Sequence, residues 1–304
     1  MSASGGTKAI VAALAANLAI AVAKFVAFLF TSSSSMLAES IHSVADSGNQ
    51  ALLLIGGKRA RRERTREHPF GYGRERYFYA FVVAVVLFTI GSAFSIYEGI
   101  HKLGSHEPLG NLGWAIGVLI FAIVAESFSF RTAIKESNAV RGGQGWVAFI
   151  RRSKAPELPV IVLEDLGALL GLLFALFGVS MAAITGDPVW DAVGTLMIGT
   201  LLGVIAIVLA IETKSLLLGE SAVPEDEARI RAALEGAPGV SRVIHMRTLH
   251  LGPEELLVAA KIAVEHDDTA AQVADAINTA EQAIRDAVPI ARVIYLEPDL
   301  YRSA

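Results

Sequence analysis

Residues 36–56 read MLAESIHSVADSGNQALLLIG. The stretch has the length a helix needs to cross a hydrocarbon core, about 20 residues, yet it carries Glu39, His42 and Asp46. Their i, i+3 and i+7 spacing places all three on one helical face, and Asn49 extends that face by a turn. In a soluble helix such a face is an ordinary hydrogen-bonding surface. In lipid, ionisable groups are costly to bury, turn toward the bundle interior and mark a path for an ion or substrate. What the segment means therefore depends on whether its neighbours are also membrane spans.

Five of them are. Apolar stretches at about 9–30, 79–100, 112–130, 159–183 and 190–211 approach or meet the same length. The chain is 53% hydrophobic and 18% charged, a composition a soluble domain of 304 residues would struggle to keep in solution. The apolar run of the first span exceeds a signal-peptide core, and no small-residue cleavage site precedes the Ser-rich turn at 31–35, so it reads as a retained helix. The link between spans two and three holds Lys58, Arg59, Arg61, Arg62, Arg64, Arg66, Arg74 and Arg76; that between spans four and five holds Arg131, Lys135, Arg141, Arg151, Arg152 and Lys154. The positive-inside bias puts both links, and with them both termini, in the cytoplasm. Links 101–111 and 184–189 hold one basic residue, Lys102, and fall outside. The basic links read as topogenic signals, not as a lipid or nucleic-acid site. No targeting extension is evident, which points to a prokaryotic plasma (inner) membrane.

After the sixth span the patterning becomes soluble and acidic. The expected division is a transmembrane domain at 1–215 and a cytoplasmic C-terminal domain at 216–304. Pro224 opens a helix with acidic residues in its first turn, running to about Glu235. Residues 240–250 and 256–264 read as strands joined at Gly252-Pro253, 269–287 as an amphipathic helix and 291–297 as a last strand. The fold class is thus an α-helical membrane bundle of six transmembrane helices with a C-terminal α+β domain of αββαβ order. A small sheet covered on one face invites pairing through the other face or an edge, so a homodimer is expected. The acidic domain would also meet the basic links electrostatically, through individually weak pairs.

The chain has no cysteine, which excludes disulfides, thiolate metal sites and cysteine nucleophiles. A metal would be held by His, Asp, Glu or backbone oxygen. His42 and Asp46, with Glu39 beside them, suit Zn²⁺ or another first-row divalent ion. Span five supplies Glu164 and Asp165. Adjacent residues point about 100° apart, and Asp165 is the better placed, because Gly167, Ala168 and Gly171 let its helix approach a neighbour; Glu164 reads as a supporting partner or a membrane-surface group. Lys24 and Glu98 read as snorkelling side chains, Glu126 as a partner of Arg131, and Asn17 as a weaker candidate.

The segments AESIHSVADSGNQ (38–50), HPFGYGRER (68–76), VLEDLGALLG (162–171) and SLLLGESAVPEDE (215–227), in this order along six spans and an αββαβ tail, resemble the cation diffusion facilitator family. The resemblance implies a homodimeric, proton-coupled antiporter, a secondary active transporter and not an enzyme, that needs no cofactor and exports a divalent cation through a tetrahedral site between spans two and five. By position, His42 and Asp46 fall on the paired span-two ligands and Asp165 on the second span-five ligand. The first span-five ligand falls on Ile161, so water, Glu39 or Glu164 completes the shell, or the metal is one less demanding of four protein ligands. In the loop motif Tyr72 stands where some members have a second His, leaving His68 with Glu67. In the tail, Ile244 and Ala260 stand where some members have metal-binding His, and His245, His250 and His266 read as surface or sheet residues. Zn²⁺ leads among the metals, and His42, as the side chain type whose unperturbed pKa lies nearest physiological pH, reads as the proton carrier in alternating access. The rival readings are a non-transporting membrane metal sensor or scaffold and an intramembrane hydrolase, the latter lacking any paired-Asp or Ser-based motif.

Overall fold

A computed structural model of the chain describes residues 3–104 and 110–301, with side chains from Asn17 onward. The chain forms two compact units, Met1–Gly56 with Tyr79–Thr213, and Gly57–Phe78 with Lys214–Ala304.

The first unit is the membrane bundle. Span one is α1 (Ala3–Thr31) and span two is α2 (Ser34–Ala60). Span three is a continuous rod, Glu75–Leu103, made of α3 (Glu75–Val86), a π-helical segment (Leu87–Ala93) and α4 (Phe94–Leu103). Span four is α5 (Leu112–Arg141), span five α7 (Glu157–Thr185) and span six α8 (Val189–Leu218). Spans three to six are long and apolar enough to cross a membrane by length and composition. Span two has the length but not the hydropathy, because its interior face is polar. The expected positions hold, but the helices outrun the apolar stretches: α5 continues into the basic link, which also contains a short helix, α6 (Trp146–Arg152), not expected from the sequence. Within link 101–111, residues 105–109 lie outside the described residues.

In lipid, apolar side chains gain little by leaving one hydrocarbon for another, so helices associate by close packing. A Cβ on Gly178 of α7 would lie 2.8 Å from the Trp190 carbonyl oxygen, and one on Gly194 of α8 would lie 2.8 Å from that of Phe174. Spans five and six therefore touch backbone to backbone. Span six meets span three where the Ser92 hydroxyl donates to the Gly199 carbonyl at 2.8 Å. Ser92 belongs to the π-helical segment, a local widening of the kind often found beside functional sites.

The second unit has the expected αββαβ order. It comprises α9 (Pro224–Glu235), β1 (Arg242–Gly252), β2 (Glu255–Ala263), α10 (Ala270–Ala287) and β3 (Ala291–Asp299). Pro224 starts α9 with Glu225, Asp226 and Glu227 in its first turn, where the helix dipole favours negative charge. A capping box of Thr269 and Gln272 starts α10. The sheet order is β1-β2-β3, with β1 antiparallel and β3 parallel to β2; the parallel pair requires a crossover, and α10 supplies it. Ile230 and Leu234 of α9 and Ala280 and Ile284 of α10 pack on Val258, Ile262 and Ile294. Lys261 donates to Asp299 at 2.9 Å and to Glu297 at 3.0 Å, and these hydrogen bonds, that to Asp299 foremost, hold its ammonium above the usual lysine range. The link 57–78 lies on the β1–β2 hairpin: Arg64 pairs with Glu255, and Arg76 with Glu254 at 3.3 Å.

Candidate metal centre

The polar face of α2 is buried from Ser34 to Asn49. Glu39, His42, Asp46 and Asn49 are all inaccessible or nearly so. Within it the side chains divide between two neighbours, as the 100° step of a helix requires. Taking Glu39 as the origin, Ser43 lies about 40° to one side, and Asp46, His42 and Asn49 lie about 20°, 60° and 80° to the other.

The Ser43 side faces span one. Lys24 is fully buried and donates to Glu39 Oε2 at 3.1 Å and to the Ser43 hydroxyl at 2.7 Å. The expectation that Lys24 snorkels is wrong: its ammonium finds a carboxylate one helix away, which is a shorter route to neutralisation than the membrane surface. The His42 side faces span five. Asn49 donates to Glu164 Oε1 at 2.7 Å, so Glu164 is a buried group held by span two and not a membrane-surface one. Asp165 is buried, and its Oδ2 accepts from the Ser129 hydroxyl of α5 at 3.0 Å. Asp46 lies within electrostatic reach of both Glu164 and Asp165. A Cβ on Gly91 of the π-helical segment would stand 3.9 Å from His42 Nδ1, so span three closes the site from a third direction. Ile161, one turn before Asp165, is a partly buried apolar residue packed on the core.

Several buried polar atoms in this row have no hydrogen-bond partner: both ring nitrogens of His42, Asp46 Oδ1, Asn49 Oδ1 and Glu39 Oε1. An unpaired buried polar group costs about 1–3 kcal/mol, and a cluster of them calls for an ion, a ligand or water. The donors, an imidazole and carboxylate or amide oxygens, fit a borderline divalent cation as cargo. Among the described residues no three His, Asp or Glu side chains converge closely enough to hold an ion together, so this conformation gathers the donors without closing a coordination shell.

A second buried carboxylate sits at the opening of α2. Asp191, at the start of α8, accepts from the Ser33 hydroxyl at 2.7 Å, the Ser34 amide at 2.6 Å, the Ser34 hydroxyl at 3.0 Å and the Ser35 hydroxyl. It thereby satisfies the free amide at the start of α2 from another helix. From sequence, residues 31–35 are expected as a Ser-rich turn, and neither their partner Asp191 nor Ser129 stands out. The polar run Glu126-Ser127-Ser129 inside span four was the available signal for the second.

The accessory positions hold no comparable cluster among the described residues. His68 is exposed and stacks on Tyr72 with ring centroids 4.5 Å apart. His245 and His266 are exposed; His250 is buried in the sheet with Nδ1 3.3 Å from the Gly252 carbonyl.

The bundle, with buried ionisable side chains in its interior, and the appended α+β domain define a polytopic membrane protein with a soluble C-terminal domain. Residues 10–218 match the cation efflux transmembrane domain and residues 222–299 the cation efflux protein cytoplasmic domain. The chain belongs to the cation efflux, or cation diffusion facilitator, family, whose members are transporters and not enzymes. It is similar to the human mitochondrial proton-coupled zinc antiporter SLC30A9, at 32% identity over 85% of this chain and 46% of the human protein. It is also similar to metal tolerance protein C4 of Arabidopsis thaliana, at 30% identity over 84% of this chain and 56% of the plant protein. The magnetosome protein MamM of Paramagnetospirillum magneticum matches at 24% identity over 89% of this chain and 81% of its own. The chain spans about half the length of the human and plant relatives. Among solved structures, a nickel form of the MamM C-terminal domain aligns with a TM-score of 0.25 and 21% identity, covering 26% of this chain and 100% of that domain.

Proposed function

We propose that the chain exports divalent metal cations, Zn²⁺ foremost, from the cytoplasm by proton-coupled antiport. The cation is held by His42 and Asp46 of span two and Asp165 of span five, flanked by Glu39 and Glu164. The observation that carries this reading is the row of buried, unpartnered donor atoms on α2 facing the carboxylates of α7. The name of the human relative, a proton-coupled zinc antiporter, supports both the ion and the coupling. Ile161 contributes no donor, and with Glu39 held by Lys24 and Glu164 by Asn49 the fourth position falls to a water molecule.

His42 ligates only when neutral, and Asp46 and Asp165 bind the cation best as carboxylates, so metal and protons compete for the same atoms. In alternating access the cation enters from the cytoplasmic side, and protons from the outside displace it and travel inward. The cytoplasmic domain pairs two copies into a homodimer, with the helix-free face or an edge of the β1-β2-β3 sheet as the contact.

The test is uptake of Zn²⁺, Mn²⁺, Fe²⁺ and Co²⁺ into proteoliposomes under an imposed pH gradient, for the parent chain and for Asp165→Ala. Gradient-driven movement of Zn²⁺ in the parent, silent in the variant, is expected. Binding without movement would replace transport by metal sensing, and full activity in the variant would remove Asp165 from the site.

A further inference from the structure

The ion pair between Lys24 and Glu39 is not explained by transport as described above. Two fully buried charged groups, from spans one and two, meet at 3.1 Å, and the Lys24 ammonium is fixed a second time by Ser43 at 2.7 Å. Burying a pair of charges costs several kcal/mol per ion before their attraction is counted, so its place beside the donor row calls for a reason. Glu39 stands three residues before His42 and shares its helical face closely enough to interact with it electrostatically. Only one of its oxygens is engaged by Lys24. The other, Oε1, has no partner and points at span five, where a Cβ on Gly171 would come within 2.5 Å of it. Glu39 therefore sits at the junction of spans one, two and five, with one oxygen engaged by Lys24 and the other turned to span five without a partner.

We propose that Lys24 is a specificity-determining positioning residue, which keeps the Glu39 carboxylate out of the coordination shell of the transported cation. The inference deepens the proposed function and rests on it. With Glu39 withheld, the protein ligands are one imidazole and two carboxylates, a set that suits Zn²⁺. A third carboxylate would make the shell richer in oxygen and favour harder ions such as Mn²⁺. Without the ammonium, a buried Glu39 must find another positive partner or a proton, and the cation one helical turn away is the nearest.

The experiment is calorimetric titration of the purified full-length protein with Zn²⁺ and with Mn²⁺. The variants are Lys24→Met, Lys24→Arg and the double variant Lys24→Met/Glu39→Gln. The Met variant is expected to raise Mn²⁺ affinity relative to Zn²⁺ by about tenfold. Lys24→Arg, which keeps the charge, retains the parent ratio, and the double variant returns to it because the freed carboxylate is gone. If the Met variant is not monodisperse, Lys24→Gln removes the charge while leaving a donor for Ser43. A purely structural strut would change stability but not the ratio, so an unchanged ratio in both single neutral variants overturns the proposal. So does a raised ratio that persists in the double variant. Asp46→Ala separates the two levels: lost Zn²⁺ binding there with an unchanged ratio in Lys24→Met refutes the withholding role alone. Undiminished Zn²⁺ binding in Asp46→Ala removes the site and this role with it.

Discussion

Two of the buried carboxylates of the bundle, Asp191 and Asp46, differ in how far their hydrogen bonding is satisfied. At the opening of span two, Asp191 accepts hydrogen bonds from three serine hydroxyls and one backbone amide. Further along the same helix, Asp46 has an oxygen with no partner, next to a histidine with none on either nitrogen. Both clusters are desolvated to a similar degree. A buried charge that is fully hydrogen-bonded is part of the scaffold. A buried charge left short of partners is a cost the fold carries elsewhere, and such groups belong where a ligand completes them. Burial alone would have nominated both as sites; satisfaction separates them.

The comparison breaks most visibly at Asp46. Asp46→Ala should weaken Zn²⁺ binding by about a hundredfold or more, near 3 kcal/mol, and silence flux. Its thermal transition should stay in place or rise, since the change removes a buried charge lacking part of its hydrogen bonding. Asp191→Ala should do the converse. It strands the donors at the start of α2 and should lower stability by about 3 kcal/mol, while Zn²⁺ affinity in the protein that remains folded changes little. Titration calorimetry and thermal unfolding on both variants decide the matter. A stability loss in Asp46→Ala as large as that in Asp191→Ala would erase the distinction.

Between these lies Ser129, which donates to Asp165. It orients a proposed ligand without touching the cation. Loss of such a supporting bond costs metal affinity about tenfold, so Ser129→Ala should bind Zn²⁺ more weakly by that factor, with little change in thermal stability. An affinity equal to the parent's would mean that Asp165 is positioned by its helix alone.

The difference between the clusters also marks what the sequence could reveal. The αββαβ order was legible because its elements announce themselves locally: Pro224 with an acidic first turn, Gly252-Pro253 between strands, and the amphipathic pattern of 269–287. The spans were legible from length and hydropathy. His42, Asp46 and Asp165 could be nominated because ionisable residues are rare in spans. The partners could not be read, because each bond crosses between helices whose relative height and rotation are set by packing. Lys24 looked like a snorkelling residue because its carboxylate lies on another helix. Asp191 passed as an unremarked acid near a helix start, although its four donors lie more than 150 residues away. Glu39 shares a predicted face with His42 and Asp46, and Glu164 reads as a supporting partner or a membrane-surface group, but their held state is visible only with Lys24 and Asn49 in place.

The smallest effect is expected outside the membrane, where a carboxylate is neither starved nor saturated. Glu254 is largely exposed and pairs with Arg76 at 3.3 Å. Water solvates Glu254 whether or not the two meet, so the pair gains little from its Coulomb attraction and gives up side-chain freedom to form. A double-mutant cycle of Arg76→Gln and Glu254→Gln on the full chain should return a coupling of about 0.5 kcal/mol or less. It should shrink further as added salt shortens the screening length. A salt-independent coupling of 2 kcal/mol or more, on the order of a desolvated pair, would show that the link 57–78 meets the β1–β2 hairpin in a far drier setting than the exposure of Glu254 implies. The contrast between satisfied and unsatisfied carboxylates would then extend beyond the bundle.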